Sequence, residues 1–236
     1  MDLSLPRRVE PELLDHLGAH DPRAQRSRND LRRLHRAMAT LFVLKRALYS
    51  ATAGSPPRTI VELGAGDGSL MLRLAQRRAA RWPDVDATLL DRLDLIAPRT
   101  LDALRNLGWT PNAVALDVFD WLPGPDAHRL DVVFANLFIH HFANEPLARL
   151  LAGIEQRCRV FVCCEPRRAA LSLAGSHLIG LLGAGPVTRK DAVSSVHAGF
   201  RGLELSALWP NKSAWVLREF SAGLFSHAFL AIRKTG

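Results

Sequence analysis

The sequence predicts an α/β protein with a doubly wound, mainly parallel seven-stranded sheet and an N-terminal helical annex. Three observations support this prediction. From residue 58 onward, short apolar runs alternate with segments of helical periodicity. A loop with three glycines at alternate positions, 64–68, joins the first run to the first helical segment. Acidic side chains stand in or directly after the first three runs, where a parallel sheet binds its ligands.

The first predicted strand, 59–63, is a short apolar run, and the helical spacing of Leu70, Met71 and Leu74 begins soon after the glycines. Glycine permits the sharp turn between them and lets a ligand approach the backbone closely. The free N–H groups at the start of the helix favour acceptor oxygens or an anion. The loop therefore predicts a nucleotide-type cofactor site.

The later elements follow from the same two patterns. Short apolar runs between turn-forming residues predict strands, and apolar residues spaced three and four apart predict helices. The predicted strands are 59–63, 87–90, 113–116, 130–135, 159–164, 202–208 and 227–233. The predicted helices of this region are 70–81, 97–107, 146–158, 169–182 and 189–198.

The N-terminal part, residues 1–55, contains no strand pattern. Apolar residues that include Leu31, Leu34 and Met38 recur at helical spacing over 24–49, which predicts one long helix. Small residues and prolines then form a linker. We therefore divide the chain into an annex, 1–55, and a main domain, 56–236.

Composition narrows the class of protein. The net charge of +8 admits a nucleic-acid partner, but the basic residues are nearly all Arg and are scattered beside acids. The N-terminus is too charged for a signal peptide and no apolar run is long enough to span a bilayer, so we expect a cytoplasmic protein. Neither the three cysteines nor the His and Asp residues have metal-ligand spacing, which predicts no metal.

The acids at the strand ends predict how a cofactor is held. Glu62 lies in the first strand, Asp91 ends the second and Asp117 follows the third. A carboxylate after the second strand suits a ribose diol, because it accepts two hydroxyl protons. Asp117 could accept from an adenine amino group while Val118 packs on the ring.

These residues carry a resemblance to a known family. Glu62-Leu63-Gly64-Ala65-Gly66-Asp67-Gly68 resembles motif I of the class I S-adenosylmethionine-dependent methyltransferases. Asp91 and Asp117-Val118 fall where that family keeps its ribose and adenine contacts. The resemblance covers about residues 55–236 and implies a Rossmann-like methyltransferase fold with S-adenosylmethionine as cofactor. The rival dinucleotide fingerprint is G-x-G-x-x-G, whereas this chain has G-x-G-x-G. The cofactor-binding residues expected from the resemblance are Glu62, Gly64, Ala65, Gly66, Asp91, Arg92, Asp117, Val118 and Asn136.

The residues after the fourth strand indicate the methyl acceptor. Family members that methylate nucleic-acid bases or protein glutamines typically carry Asn/Asp-Pro-Pro-Tyr/Phe here. This chain instead has Asn136-Leu137-Phe138-Ile139-His140-His141, which resembles members that act on small molecules.

A histidine at this place suits O-methylation, because imidazole can remove a hydroxyl proton near neutral pH. Glu165 ends the fifth strand, beside the fourth, and could orient that imidazole. We therefore predict a His140–Glu165 dyad acting on a phenolic, quinone-like or polyketide-like hydroxyl. His141 is the second candidate base. In the alternative without catalysis, one histidine caps the next helix and the other packs under the cofactor.

Substrate contacts are predicted at Arg167, His197 and Trp215. Trp209, Trp215 and Phe220 would form either an apolar lid or part of the core. Two other functions stay open, namely an RNA or protein methyltransferase and a non-catalytic cofactor-binding protein of this fold. The sequence leaves the oligomeric state open.

Overall fold

The computed structural model describes residues 6–18, 21–37, 40–52, 55–123 and 130–234. Its strands are β1 (Thr59–Leu63), β2 (Asp86–Asp91), β3 (Thr110–Ala115), β4 (Leu130–Asn136), β5 (Cys158–Pro166), β6 (Trp215–Ala222) and β7 (Ser226–Arg233). They form one sheet in the order β3-β2-β1-β4-β5-β7-β6. The first five strands pair in parallel, while β7 is antiparallel to both β5 and β6. The predicted fold class is confirmed.

Helices cover both faces of this sheet. The described α-helices are α1 (Pro22–Ala37), α2 (Thr40–Ala51), α3 (Ser69–Arg78), α4 (Pro98–Asn106), α5 (Val118–Trp121), α6 (Asn144–Arg157), α7 (Ala170–Leu178), α8 (Pro186–Ala198) and α9 (Glu204–Leu208). Short 3-10 helices lie at Leu13–His16, Ile139–His141, Ile179–Leu182 and Lys212–Ala214.

The core has one apolar cluster on each face of the sheet, because successive side chains of a strand point to opposite faces. Ile60 belongs to one cluster and its neighbour Val61 to the other. Leu44 and Leu48 of α2 are fully buried in the first cluster. Burial of each such leucine contributes roughly 2 kcal/mol to folding. The helix α2, which lies within the predicted annex, is therefore part of the sheet's own core, and the domain boundary at residue 55 stays a prediction.

The C-terminal prediction was wrong at one strand. The segment 202–208, predicted as the sixth strand, contains the helix α9, and the sixth strand is 215–222. The cause is a long-range contact. The carboxylate of Glu219 in β6 accepts the backbone N–H of Leu205 at 3.0 Å and of Ser206 at 2.7 Å. It thus satisfies donors in the first turn of the helix, which otherwise have no partner within it.

Two smaller corrections concern boundaries. The helix predicted over 24–49 is two helices, α1 and α2, and Met38 between them lies outside the described residues. The third strand is 110–115 rather than 113–116. Asp117 therefore stands just beyond it and caps α5, accepting the Phe119 N–H at 2.8 Å. Of the described helices, none is both long and apolar enough to cross a membrane.

Candidate active site

A cavity of about 1380 Å³ opens at the carboxyl ends of β1, β2 and β4. Strand β1 lies between β2 and β4, where the strand order reverses, and doubly wound sheets bind their ligands at this position. The wall includes the glycine loop, the first 3-10 helix, α1 and the region of α7. Small-molecule sites commonly measure about 300–1,000 Å³, so this cavity has room for a cofactor and a second molecule.

The glycine loop takes a conformation that other residues rarely adopt. Gly64 and Gly66 have φ angles of +69° and +55°, in the left-handed region. A Cβ on Gly64 would lie 2.4 Å from Cδ2 of Phe138. The Ala65 N–H donates to the carbonyl of Leu90 at 2.9 Å, which ties the loop to β2. The loop backbone is thereby fixed against the cavity.

We expect Gly64→Ala to lower the free energy of unfolding by about 2–4 kcal/mol, through left-handed strain and the overlap with Phe138. Gly108→Ala is the matched control. Its φ is +81° and the space around the new Cβ is open to 4 Å among the described atoms, so it carries the backbone strain alone. Urea denaturation of both variants measures the difference, and equal losses would contradict the role given to Phe138.

Asp91 organises the end of β2. Its Oδ2 accepts the Gly66 N–H at 2.8 Å and its Oδ1 accepts the Leu93 N–H at 3.0 Å. The neighbouring Arg92 lines the same cavity and lies 3.8 Å from Oδ1 of Asp15. Asp117 and the buried Val118 also line the cavity. The structure thus brings the predicted ribose and adenine residues to one wall.

Glu62 is a buried carboxyl group beneath the loop, with 2% of its surface exposed. Burial raises its pKa well above the ordinary value, and the charges of Asp67 and Asp91 add to this effect. Within the described residues, its Oε2 has no hydrogen-bond partner. A buried oxygen of this kind suits a donor supplied by a ligand.

Asn136 ends β4 at the cavity wall, and its buried Oδ1 has no hydrogen-bond partner in the described part of the chain. The next residue, Leu137, has a φ of +52°, which is strained for a residue with a side chain. Its N–H donates to the Cys164 carbonyl at 2.9 Å. This turn redirects the chain from β4 into the histidine pair.

The predicted His140–Glu165 pair is present. His140 Nδ1 lies 2.7 Å from Oε2 of Glu165, and both side chains are buried. Glu165 also accepts the N–H groups of Phe138 and Ile139, each at 3.2 Å, and of His140 at 3.4 Å. Glu165 itself is outside the cavity lining formed by the described residues, whereas His140 lines the cavity.

The N-terminal segment adds two acids that the sequence analysis did not predict. Glu12 Oε1 lies 3.6 Å from His140 Nε2, and Asp15 Oδ2 lies 3.6 Å from Nδ1 of His141. Burial opposes the charge on His140, but Glu12 and Glu165 outweigh it and raise the pKa of His140 to about 9. His140 is therefore an imidazolium at neutral pH, which is at variance with a neutral imidazole base. No sequence pattern marks Glu12, because it lies in a segment without periodicity.

Glu12, His140 and His141 also have ligand atoms within 4.8 Å of one another. Ligand atoms of a bound Zn²⁺ lie at a comparable spacing, about 3.4 Å apart in a tetrahedral site. The expectation that the protein needs no metal therefore stays a prediction.

Arg7 holds the N-terminal segment against the histidine turn. Its guanidinium donates to the carbonyls of Ala198 and Phe142, both at 2.8 Å, and of His140 at 3.2 Å. We expect Arg7→Ala to cost about 2 kcal/mol of stability, because the N-terminal segment and the histidine turn lose a common anchor. Arg8→Ala, at an exposed neighbour, should leave the stability unchanged. Urea unfolding of the two variants tests this, and equal behaviour would contradict it.

The three predicted substrate residues lie outside the cavity lining formed by the described residues. Arg167 donates to the Gly223 carbonyl at 3.4 Å, and the His197 carbonyl accepts the Arg8 N–H at 3.1 Å. Trp215 is a buried residue of β6 whose indole N–H donates to Oε1 of Glu155 at 2.9 Å.

The aromatic group containing Trp215 belongs to the core. Trp209 packs edge-on to Trp215 at 5.1 Å and stacks on Phe161 of β5 at 5.6 Å. Phe220, the third residue of this group, is exposed. Of the two alternatives that the sequence leaves open, Trp209 and Trp215 therefore follow the core alternative, because both belong to an apolar cluster against the sheet.

Comparisons with known proteins agree with this fold. No family model matches the sequence. Over 89 residues the chain is 38% identical to the trans-aconitate 2-methyltransferase of Rhodococcus jostii (strain RHA1). The match covers 38% of this chain and 30% of that relative, so the chain matches less than a third of the relative's length.

Among solved structures, the plantazolicin methyltransferase BpumL in complex with SAH has a TM-score of 0.66 at 15% identity, over 91% of this chain and 92% of that one. An O-methyltransferase family protein from Burkholderia thailandensis has a TM-score of 0.57 at 18% identity, over 92% and 62%. The magnesium protoporphyrin IX methyltransferase ChlM of Synechocystis PCC 6803 has a TM-score of 0.55 at 14% identity, over 94% and 91%. At these identities the likeness establishes the fold. The chain therefore has the Rossmann-like fold of the S-adenosylmethionine-dependent methyltransferases.

Proposed function

We propose that this protein is an S-adenosylmethionine-dependent methyltransferase that methylates a hydroxyl group of a small apolar molecule. The observation that carries the proposal is the attachment of the glycine loop to Asp91 at the strand-order reversal. This places a turn of close backbone approach beside a carboxylate that suits a ribose diol. The methyltransferase structures that share the fold, two of them solved with SAH, support the same cofactor.

The residues around the cavity fit the three parts of S-adenosylmethionine. Asp91 would accept from the ribose hydroxyls, and Asp117 and Val118 would hold the adenine. Oε2 of Glu62, which has no partner among the described residues, would accept from the positively charged methionine end, directly or through its helix-side neighbours. A positive ligand there also offsets the cost of burying that carboxylate. When bound, the cofactor supplies an electrophilic methyl group on a sulfonium.

The acceptor half of the cavity combines one polar group with apolar walls. Glu12, His140 and Ser195 meet on one side. Leu178, Ile179, Leu181, Leu182 and Phe225 line the other. This pairing suits a largely apolar molecule that carries a hydroxyl group, since apolar walls supply affinity and a few polar groups fix orientation. As an imidazolium, His140 would donate from Nε2 to the acceptor oxygen and hold it in place.

A nucleic-acid acceptor has weaker support than a small molecule. The net charge of +8 favours nucleic acid, but the turn after β4 lacks the Pro-Pro motif of the base-methylating enzymes. A carboxylate acceptor is the second candidate for the chemistry, because a relative is named a trans-aconitate methyltransferase and Arg92 lines the cavity.

Calorimetry and a methyl-transfer assay test the proposal. We expect S-adenosylmethionine and S-adenosylhomocysteine to bind and NAD not to bind. We expect methyl transfer to 2-naphthol, and we expect its rate to be unchanged by EDTA. Trans-aconitate, 2-naphthylamine and tRNA are assayed separately as alternative acceptors. If neither S-adenosylmethionine nor S-adenosylhomocysteine binds, the cofactor assignment is wrong. Transfer confined to one of the other acceptors would overturn the hydroxyl assignment.

A further inference from the structure

Glu12 Oε1 and His140 Nε2 face each other in the cavity without a hydrogen bond between them. Glu12 Oε1 accepts from the Ser195 hydroxyl, which fixes the carboxylate. His140 is held from its other side by Glu165 at 2.7 Å. His140 Nε2 is buried and has no hydrogen-bond partner within the described residues. Its separation of 3.6 Å from Glu12 Oε1 is too long for a hydrogen bond.

An oxygen atom from a ligand would complete this arrangement. Hydroxyl oxygens accept from N–H groups and donate to carboxylates at about 2.8 Å. One oxygen can lie about 2.8 Å from both Nε2 and Oε1, since those two atoms are 3.6 Å apart. Such an oxygen would accept from His140 and donate to Glu12. Both side chains line the cavity that also contains Asp91 and Asn136.

We infer that Glu12 is the catalytic proton acceptor of the proposed methyl transfer, with His140 as the donor that holds the acceptor oxygen. This inference rests on the proposed function. The hydroxyl proton passes to the Glu12 carboxylate as the oxygen forms a bond to the methyl carbon. The carbon–sulfur bond breaks and its electron pair stays on sulfur. A hydroxyl, a carboxylate and a sulfonium thus become a methyl ether, a carboxylic acid and a thioether.

The charges around the pair agree with these roles. Burial disfavours the charged form of Glu12, but the nearby charges of His140 and His141 and the hydrogen bond from Ser195 outweigh it and lower its pKa. Glu12 is therefore a carboxylate across the neutral range, while His140 is protonated. The titratable and charged groups that face this pair are Glu165, His141, Asp15, Asp191 and Arg7.

The two candidate bases differ in pH dependence. If Glu12 accepts the proton, kcat stays level between pH 6 and 8, because the charges of Glu12 and His140 do not change there. If neutral His140 accepts the proton, kcat rises about tenfold per pH unit over this range, since the neutral fraction of a group with a pKa near 9 does so. The slope therefore separates the two assignments.

The experiment uses the full chain, S-adenosylmethionine and 2-naphthol, with the methyl ether measured by mass spectrometry. We expect Glu12→Gln to lower kcat by about 10²–10⁴-fold while KM changes little. Glu10→Gln, the same change at an exposed residue of the same segment, should leave kcat unchanged. Formate should partly restore turnover to Glu12→Ala. Calorimetry with S-adenosylhomocysteine checks that each variant is folded.

A wild-type rate that rises tenfold per pH unit, or a Glu12→Gln variant within twofold of wild type, would overturn the inference and leave the proposed function standing. Loss of turnover in EDTA would also overturn it, in favour of a cation held by Glu12, His140 and His141. A wild-type chain that binds S-adenosylmethionine but leaves 2-naphthol unmethylated would remove the hydroxyl acceptor, and the proposed function with it.

Discussion

Asp91→Ala is expected to weaken S-adenosylmethionine binding by about 10²–10⁴-fold. Two ribose hydroxyls would donate to this carboxylate, and hydrogen bonds to a charged group contribute roughly 1.5–3 kcal/mol each. The substitution also removes the acceptor of the Gly66 N–H and the Leu93 N–H. The glycine loop therefore loses its attachment to β2, which adds to the loss of the direct contact.

Calorimetry with S-adenosylhomocysteine measures this change. Asp91→Asn should fall between wild type and Asp91→Ala, because an amide oxygen still accepts one bond but carries no charge. Asp102→Ala is the matched control, since Asp102 is an exposed acid of α4 that pairs only with Arg105 among the described residues. If Asp91→Ala binds as tightly as Asp102→Ala, the ribose assignment is wrong.

The cofactor wall could be predicted from the sequence because its signals are local. Gly64 and Gly66 are marked by a turn that begins where an apolar run ends, and Asp91 is marked by its place after the next run. Parallel strands bring their carboxyl ends to one edge, so residues far apart in sequence meet there without further information. The structure places these residues around one cavity, as the strand pattern implies.

The acceptor side could be predicted only in part, because its contacts are long-range. The His140–Glu165 pair follows from the adjacency of β4 and β5. Glu12 reaches His140 because long-range contacts of Arg7, Ser195 and Asp191 fix the N-terminal segment, and no periodicity marks these contacts. The helix α9 was missed for the same kind of reason, since its first-turn donors are satisfied from β6.

Side-chain direction explains why the three predicted substrate residues lie outside the cavity lining formed by the described residues. The sequence places Trp215 near the last strands, but it does not say which face of a strand covers the core. Trp215 begins β6 and points into the apolar cluster, where Glu155 accepts its indole N–H. Arg167 and His197 directly follow the cavity-lining residues Pro166 and Val196 in the sequence, yet neither is among the described residues that line the cavity.

Glu165→Gln is expected to destabilise the protein more than any surface substitution. The variant keeps the shape of the side chain but removes the negative charge that faces His140 Nδ1 at 2.7 Å. Breaking one half of a buried charged pair typically costs about 3–5 kcal/mol, because the remaining charge stays in a poor environment. The pKa of His140 should fall from about 9, with only Glu12 left as an acidic partner.

The loss should depend on pH in a defined direction. In the wild type, the pKa of His140 is raised from an unfolded value of 6.5 to about 9. Its contribution to stability, about 3 kcal/mol, is therefore fully present below pH 6.5 and is lost as the pH rises toward 9. The stability difference between wild type and Glu165→Gln should accordingly be largest near pH 6 and smallest above pH 9.

Urea denaturation from pH 6 to pH 10 measures this difference, and the comparison of two variants cancels groups that titrate alike in both. His177→Gln, at an exposed histidine of α7, should follow the wild-type curve throughout. A difference that stays constant or grows with pH would mean that His140 is neutral in the folded protein. In that case His140 could not act as the donor that holds the acceptor oxygen, and the neutral imidazole base predicted from the sequence would become the better assignment.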